Sequence, residues 1–382
     1  MLLHGSRVMY ALNWIIVAPA LFYIKTSLDV SVVELGFIVT SFFAGLSIFQ
    51  LFGGYMSSII GDKNATLISL LLMGMFSFLS GLSTNFSELL FSRFVAGIAS
   101  AIFFSSALSL MVTVVPEKSY PFHVSLYNGI FSAGAGAGVI LFAIIDKFYG
   151  YKSGFILVGA IIMVFFIVML FSYRGTKNIR MEKNYIFKGL KTVLSSRLIL
   201  FISLAGISAR ISEIVVGQFL VYYIEHLKYD SIISSFALTL FLIVGVIGGI
   251  IGGYHYLRTK HRIGTFIILN VLVSLLLIFT GFIFNIFIIL IVMIIMGITI
   301  VYLFSITYTI VRNLSKRESV SLSLSYAHTI QLSFAAVIPI IFTLTYELYS
   351  YKISWIAMGI ISLIFLLFII PYVNGVEKTI WR

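Results

Sequence analysis

Three side chains carry a full charge in the middle of an apolar stretch: Arg93, Arg210 and Glu213. An ionisable group at the centre of a membrane helix costs roughly 2.5–3.5 kcal/mol on insertion scales, so each calls for a partner or a task. Arg210 and Glu213 are three residues apart, which on a helix places them on one face. Two readings follow. The pair either neutralises itself and steadies a packed helix, or faces a central cavity where Arg210 holds an anionic group and Glu213 exchanges a proton. His328 and Gln331, also three apart and followed by Pro339, form a second polar pair. A histidine titrates near neutrality, so His328 is a candidate for proton transfer, against the plainer reading of an interhelical hydrogen bond.

The elements that must hold these groups are set by composition. Of 382 residues, 60% are hydrophobic and only 10% charged, and mean hydropathy is +1.12. Soluble domains are nearer 45–50% apolar and about 25% charged, so the solvent implied is a bilayer. Cysteine is absent, which excludes thiol catalysis, thiolate metal sites and disulfides. The histidines at 4, 123, 226, 255, 261 and 328 show no paired spacing inside a span, and no phosphate-binding glycine loop is present. An enzyme is therefore not expected, nor a cofactor or a metal.

Apolar stretches fall near 8–24, 35–57, 65–83, 86–113, 122–145, 153–173, 198–224, 232–256, 263–283, 286–312, 322–347 and 353–373. Each approaches the roughly 20 residues of a spanning helix, and none shows the alternation of a barrel strand. The segment from Met1 to Phe22 reads as the first of twelve helices rather than as a removable signal. Lysines and arginines set the orientation. With the N-terminus inside, eighteen of them, Arg7 included, fall on one side, and five (Lys25, Lys147, Lys152, Lys228 and Lys352) on the other. Both termini are thus expected in the cytoplasm. The net charge of +12 then reads as topology, and nucleic acid is not an expected partner.

The polar break from Tyr173 to Arg197 divides the chain into a six-helix bundle at 1–173, a basic cytoplasmic linker at 174–197 and a second bundle at 198–382. The bundles repeat at an offset of 200 residues: Gly45, Gly53, Gly81, Gly97, Gly159 and Gly175 match Gly245, Gly253, Gly281, Gly297, Gly359 and Gly375. Asn85 matches Asn285, and Tyr149, Tyr151 and Lys152 match Tyr349, Tyr351 and Lys352. Because each half has an even number of spans, the copies share one orientation and enclose a space between them. The runs Gly134, Gly136, Gly138 and Gly245, Gly249, Gly253 predict close helix packing. The 21 tyrosines and 36 phenylalanines are expected mostly at the lipid surface or the interfaces.

Two loops carry a recognisable pattern. Gly54-Tyr55-Met56-Ser57-Ser58-Ile59-Ile60-Gly61-Asp62-Lys63 follows the second helix, and Gly253-Tyr254-His255-Tyr256-Leu257-Arg258-Thr259-Lys260-His261-Arg262 follows the eighth. With Arg93-Phe94-Val95-Ala96-Gly97 in the fourth helix, and across all twelve stretches, the chain resembles the major facilitator superfamily. In the first loop Gly54, Gly61 and Lys63 are kept, serine stands for the usual aspartate, and Asp62 replaces a base. The second loop keeps the basic residues Arg258 and Arg262.

The resemblance implies an all-helical fold of two pseudo-symmetric six-helix bundles, with helices one, four, seven and ten lining the cavity. Asn13, Trp14, Arg93, Arg210, Glu213, Gln218, Tyr302, Thr307 and Tyr308 would then share one space. It also implies that Arg93 is linked to proton transfer. Together Arg93, Arg210 and Glu213 sum to +1, a balance that favours carboxylates or phosphates. The expected function is secondary active transport of a small organic solute by alternating access, proton coupled, in a cytoplasmic (plasma) membrane. The expected partners are a small-molecule substrate, protons and the surrounding lipid. Twelve spans suffice for one pathway, so a monomer is expected. A proton-linked efflux antiporter for amphipathic compounds is the alternative, and a non-transporting membrane sensor on the same scaffold is more remote.

Overall fold

The structure, a computed structural model, describes residues 2–116, 120–172, 195–259, 261–315 and 320–373. The expected linker therefore lies almost wholly outside the described residues. Among these, all regular structure is helical, and twelve helices are long and apolar enough to cross a membrane. They are span 1 (Leu2–Leu28), span 2 (Val32–Gln50), span 3 (Asp62–Leu82), span 4 (Phe86–Met111), span 5 (Gly129–Tyr149), span 6 (Tyr151–Ser172), span 7 (Arg197–His226), span 8 (Ser231–His255), span 9 (Arg262–Thr280), span 10 (Ile286–Leu314), span 11 (Leu322–Leu348) and span 12 (Tyr351–Tyr372). The chain is a multi-pass integral membrane protein. Successive spans alternate in direction, so Leu2 and Tyr372, which begin span 1 and end span 12, lie toward one face, the terminal face. The tight turns after spans 1, 3, 5, 7, 9 and 11 mark the far face.

Three spans are broken, and the sequence explains where. A proline lacks the N–H that would bond the carbonyl four residues back. Span 1 stops at Ile15, four before Pro19, and resumes at Val17. Span 11 stops at Ala335, four before Pro339, and resumes at Ile338. Span 7 breaks at Gly206, between Ala205 and Ile207. Helix starts use matched caps: Asn85 accepts from the Glu88 N–H at the head of span 4, and Asn285 from the Phe287 and Ile288 N–H groups at the head of span 10.

The 200-residue repeat is reproduced contact by contact. A Cβ on Gly81 would stand 2.6 Å from the Lys152 carbonyl oxygen, and one on Gly281 2.8 Å from that of Lys352. Gly159 closes on Phe78, and Gly359 on Ile278. Gly45 and Gly97 each lie against backbone of the other's helix, Phe94 and Phe42, so spans 2 and 4 meet almost backbone to backbone. In the second half the tight positions are Gly245, Gly248 and Gly252. Gly253, expected in that row, has open space around it, and Gly249 only ordinary contacts. The helical stripe facing span 10 follows three- and four-residue steps, and 248 and 252 lie on it.

The hydrogen bonds and close glycine contacts between the two sets of six spans lie from the midplane to the far face, and the stacked rings of Phe104 in span 4 and His328 in span 11 join the sets toward the terminal face. Thr239 Oγ1 of span 8 donates to Gly136 O of span 5 at 2.9 Å, and Gln218 Nε2 of span 7 to Trp14 O of span 1 at 3.3 Å. Gly36 of span 2 lies against Thr343 and Pro339 of span 11. At the far face Lys147 Nζ meets Asp230 Oδ2 at 2.6 Å, and the Val33 N–H donates to Glu347 Oε2 at 3.0 Å.

Because a carbonyl cannot retreat from a new methyl group, Gly97→Ala and Gly248→Ala are each expected to cost more than about 2 kcal/mol. Gly253→Ala should leave stability unchanged; thermal unfolding of the purified protein in detergent checks the contrast.

Candidate functional site

The i, i+3 spacing of Arg210 and Glu213 becomes a direct ion pair at the middle of span 7, from Arg210 Nη1 to Glu213 Oε2. Arg210 Nη2 also donates to the Tyr308 hydroxyl of span 10 at 3.1 Å. The guanidinium carbon sits 4.5 Å from the centre of the Phe304 ring, which is stacked on Tyr308 with ring centroids 6.1 Å apart and 7° between planes. Arg210 Nε has no partner. The side chains keep 11% and 17% of their surface accessible despite their depth. Span 7 breaks at Gly206, one turn before Arg210, and Gln331 of span 11 points at that break: a Cβ on Gly206 would lie 2.7 Å from Gln331 Nε2. Both polar atoms of that buried amide lack partners. Thr307 packs beside it, its hydroxyl bonded to Leu303 O at 2.7 Å.

An arginine that the sequence places in the basic cytoplasmic set joins this cluster. Arg7 is 6% exposed inside span 1, because the helix begins at Leu2 rather than at the start of the most apolar stretch. Its guanidinium carbon lies 4.7 Å from the Tyr10 ring centre, 5.4 Å from Phe104, 4.7 Å from Tyr127 and 4.6 Å from Phe131. Its Nε and Nη1 are buried without partners. These four rings turn inward. Tyr10 is within electrostatic reach of Arg7, Arg210 and Glu213, and His328 within reach of both arginines. His328 stacks face to face on Phe104, centroids 5.1 Å apart and 6° between planes, and its Nδ1 has no partner. The i, i+3 and i, i+4 spacings Arg7–Tyr10 and Tyr127–Phe131 were the available signal.

Arg93 is not in this space. It is fully buried within the first six spans, where Nη2 donates to Asn13 O at 2.9 Å and Nη1 to Asn13 Oδ1 at 3.2 Å. Ser77 Oγ donates to the same Oδ1 at 2.6 Å, Asn13 Nδ2 donates to Ser100 Oγ at 3.0 Å, and Phe42 lies under the guanidinium at 4.6 Å. Gln218 takes the next carbonyl, that of Trp14. Arg93 and Gln218 therefore donate to two successive carbonyls in the last turn before the break in span 1, where hydrocarbon offers no donor. Trp14 packs edge-on against Phe43 and Phe131 and covers Gly217, a seam between the halves. Tyr302 also turns away: its hydroxyl meets His255 Nδ1 of span 8.

At the first patterned loop Gly61 adopts φ 87°, a conformation open to glycine, and joins the helix of span 2 to span 3. Asp62 opens span 3, where the helix N-terminus favours negative charge. It accepts from Ser57 at one oxygen and from Ser109 of the helix of span 4 at 2.6 Å at the other. The carboxylate displaced along the motif thus still ties three helices. Gly54 has open space around it and Lys63 is half-buried. Arg258 covers Tyr254 at 4.1 Å, and Arg262 begins span 9.

Two further carboxylates lie inside spans near the far face. Asp146 of span 5 is 1% exposed with both oxygens unpartnered, and Glu225 of span 7 has one such oxygen. Both lie within electrostatic reach of Tyr23 of span 1. The neighbouring Asp230 carboxyl, in the turn between spans 7 and 8, is held below the usual carboxylate range, first by the Lys147 ammonium and then by the Ile232 N–H. A vestibule of about 800 Å³ opens nearby on the far face, lined by residues including Lys25, His226, Glu347, Tyr351 and Lys352.

Twelve membrane helices in two repeated sets of six, around a mid-span ion pair, define a twin-bundle membrane protein. The chain matches the Major Facilitator Superfamily over residues 3–331 and 202–381 and belongs to that family. It is 29% identical over 149 residues to the "Probable anion transporter 6, chloroplastic" of Arabidopsis thaliana, covering 37% of this chain and 29% of that protein. It is 26% identical over 152 residues to the "Quinolone resistance protein NorA" of Staphylococcus aureus (strain MRSA252), covering 39% of each. The matched stretch is thus well under half the length of either relative. The fold is similar to the crystal structure of a bacterial homologue of the human lysosomal transporter Spinster in an inward-facing, unoccupied conformation, with TM-score 0.83 and 12% identity over 100% of this chain and 96% of that one.

Arg93→Gln leaves Asn13 O short of a donor, which is expected to cost about 1–3 kcal/mol and to lower the unfolding temperature. The bridge Lys147–Asp230 is more than a third exposed, so its weight is small. It is present above the ordinary carboxylate pKa and lost as pH falls through the depressed value of Asp230. At neutral pH Asp230→Asn should change labelling of a single cysteine placed at Lys25 by less than about fivefold.

Proposed function

We propose that the protein is a proton-coupled secondary transporter of small organic anions, working by alternating access in the plasma membrane. The observation that carries this reading is the mid-span pair Arg210–Glu213, which keeps part of its surface accessible, with Arg210 Nε unpartnered and Tyr308 beside it. Arg210 offers a donor to an anion. As the anion draws on Arg210, Glu213 loses its counter-charge and takes up a proton, so loading of anion and proton is linked. His328, one aromatic ring from Arg7, is a second candidate on the proton path.

Support for a conformational cycle comes from the placement of contacts. The hydrogen bonds and the glycine seam that join the halves lie from the midplane to the far face, whereas Arg7, Tyr10, Phe104 and His328 lie toward the terminal face. The charge asymmetry of the loops places the terminal face in the cytoplasm. Lys147–Asp230 and Val33–Glu347 are then the closed outer latch. Gly136 against span 8 and Gly36 against span 11 supply the close surfaces on which the halves rock. The anion-transporter relative supports the anionic substrate class.

A second reading, proton-linked export of amphipathic compounds, is favoured by the aromatic lining around Arg7 and by the NorA relative. The two readings separate in proteoliposomes. With internal pH followed during a pH jump, a carboxylate is expected to carry protons into vesicles with the wild type. Glu213→Gln should abolish the proton movement and Arg210→Ala the anion uptake. Transport of cationic dyes unaffected by either substitution would favour export.

A further inference from the structure

We infer that Arg7 is the anchor for the charged group of the transported solute, and that the solute is an amphipathic monoanion, an alkyl or aryl carboxylate whose body lies among Tyr10, Phe104, Tyr127 and Phe131. This deepens the anion-transport reading above and rests on it: Arg7 holds the anion while Arg210 is still paired with Glu213, before the anion draws on Arg210.

The argument begins with charge balance. Among the described residues the ion pairs are Lys147–Asp230 and Arg210–Glu213. Arg210 already has its carboxylate at the midplane, and Asp146 and Glu225 belong to the far-face seam. Arg7 is therefore the uncompensated positive charge of the central cluster. An arginine one or two turns from a helix end ordinarily extends its long stem so that the guanidinium reaches the headgroups. Arg7 instead turns inward and is 6% exposed.

The surroundings of Arg7 meet only part of its needs. Four aromatic faces stabilise a cation by roughly 0.5–2 kcal/mol each at most, and less together because they share one charge. They do not accept the N–H groups in the plane of the guanidinium, and Nε and Nη1 remain without acceptors. A buried, unpaired guanidinium donor is costly. A carboxylate supplies both missing elements, a negative charge and acceptor oxygens, at the strength of a charge-assisted hydrogen bond.

The same neighbours set the rest of the solute. Phe104 and Phe131 are apolar, and Tyr10 and Tyr127 present ring faces to Arg7, so a body attached to the carboxylate meets hydrocarbon and π surface. The buried Tyr127 hydroxyl has no partner and can accept or donate one further hydrogen bond. One uncompensated charge matches one anionic group. A second carboxylate would need Arg210, which is held by Glu213.

The test uses the full-length protein in detergent with hexanoate, benzoate, succinate and hexylamine as probes. Binding is read by calorimetry and by fluorescence of Trp14, which lies edge-on to Phe131 with ring centroids 5.7 Å apart. Hexanoate and benzoate are expected to bind, succinate at least tenfold more weakly, and hexylamine not at all. Arg7→Gln should weaken hexanoate at least tenfold, Arg7→Lys less, and Phe131→Ala should weaken hexanoate more than acetate. Should Arg7→Gln fail to fold, the Arg7→Lys and Phe131→Ala variants and the wild-type chain-length series from acetate to hexanoate still decide. Hexanoate affinity unchanged in a folded Arg7→Gln variant overturns the assignment of Arg7. Tighter binding of succinate or of hexylamine overturns the solute class.

Failure here is distinguishable from failure of the transport reading. Proton-coupled carboxylate uptake that persists in Arg7→Gln keeps the function and removes Arg7 as anchor. Hexanoate binding that depends on Arg7, with no movement of carboxylate or protons into vesicles, keeps the site and removes transport.

Discussion

A carbonyl or a guanidinium placed in hydrocarbon has to find its partner within the protein, because the solvent offers none. The first span concentrates this constraint. Pro19 breaks it, and the carbonyls of Asn13 and Trp14 just before the break are taken by Arg93 and Gln218. Arg93 belongs to the same half as the break, whereas Gln218 comes from the other half. The break is thus stitched on one side into its own bundle and on the other across the seam between bundles. Asn13 in turn gathers Ser77 and Ser100, so spans 1, 3 and 4 are ordered around one buried amide.

Bending span 1 has a second effect. It leaves the segment from Leu2 to Ile15 on the terminal side of the seam, where Arg7 and Tyr10 look into the space that span 7 reaches with Arg210 and Glu213. Span 7 breaks at Gly206, nearer the terminal face than the break in span 1, and its polar pair follows within one or two turns. Two bent helices, one from each bundle, therefore bring their charged residues within electrostatic reach of the same Tyr10. A proposed motion between the bundles would carry Arg7 and Arg210 relative to each other, since they ride on different halves.

Charge in this protein is sorted by depth. The exposed Lys147–Asp230 bridge adds little energy and serves as an alignment between halves. The mid-span pair is self-neutral yet open. Only Arg7 in the central cluster keeps an unanswered charge, and the aromatic rings around it stabilise the cation without occupying its donors.

Much of this was legible in the residues themselves. Twelve spans follow from hydropathy, and their breaks in spans 1 and 11 from prolines four residues on, because a missing N–H acts locally. The repeat at 200 residues foretold real contacts, Gly81 on Lys152 and Gly281 on Lys352, since identical small residues permit identical approaches. The Arg210–Glu213 pair was legible because helical geometry alone brings i and i+3 together. What tertiary structure decided is which way a side chain faces when nothing local constrains it. Arg93 and Arg7 both depart from expectation: Arg93 is enclosed by its own bundle, and Arg7, near the chain end, turns inward among aromatic rings. Gly248 and Gly252 approach span 10 most closely, Gly249 only at ordinary contact and Gly253 not at all, and Tyr302 turns to His255 while Tyr308 turns to Arg210. Each is a rotation about a helix axis, set by the neighbours that pack around it and recorded nowhere along a single chain.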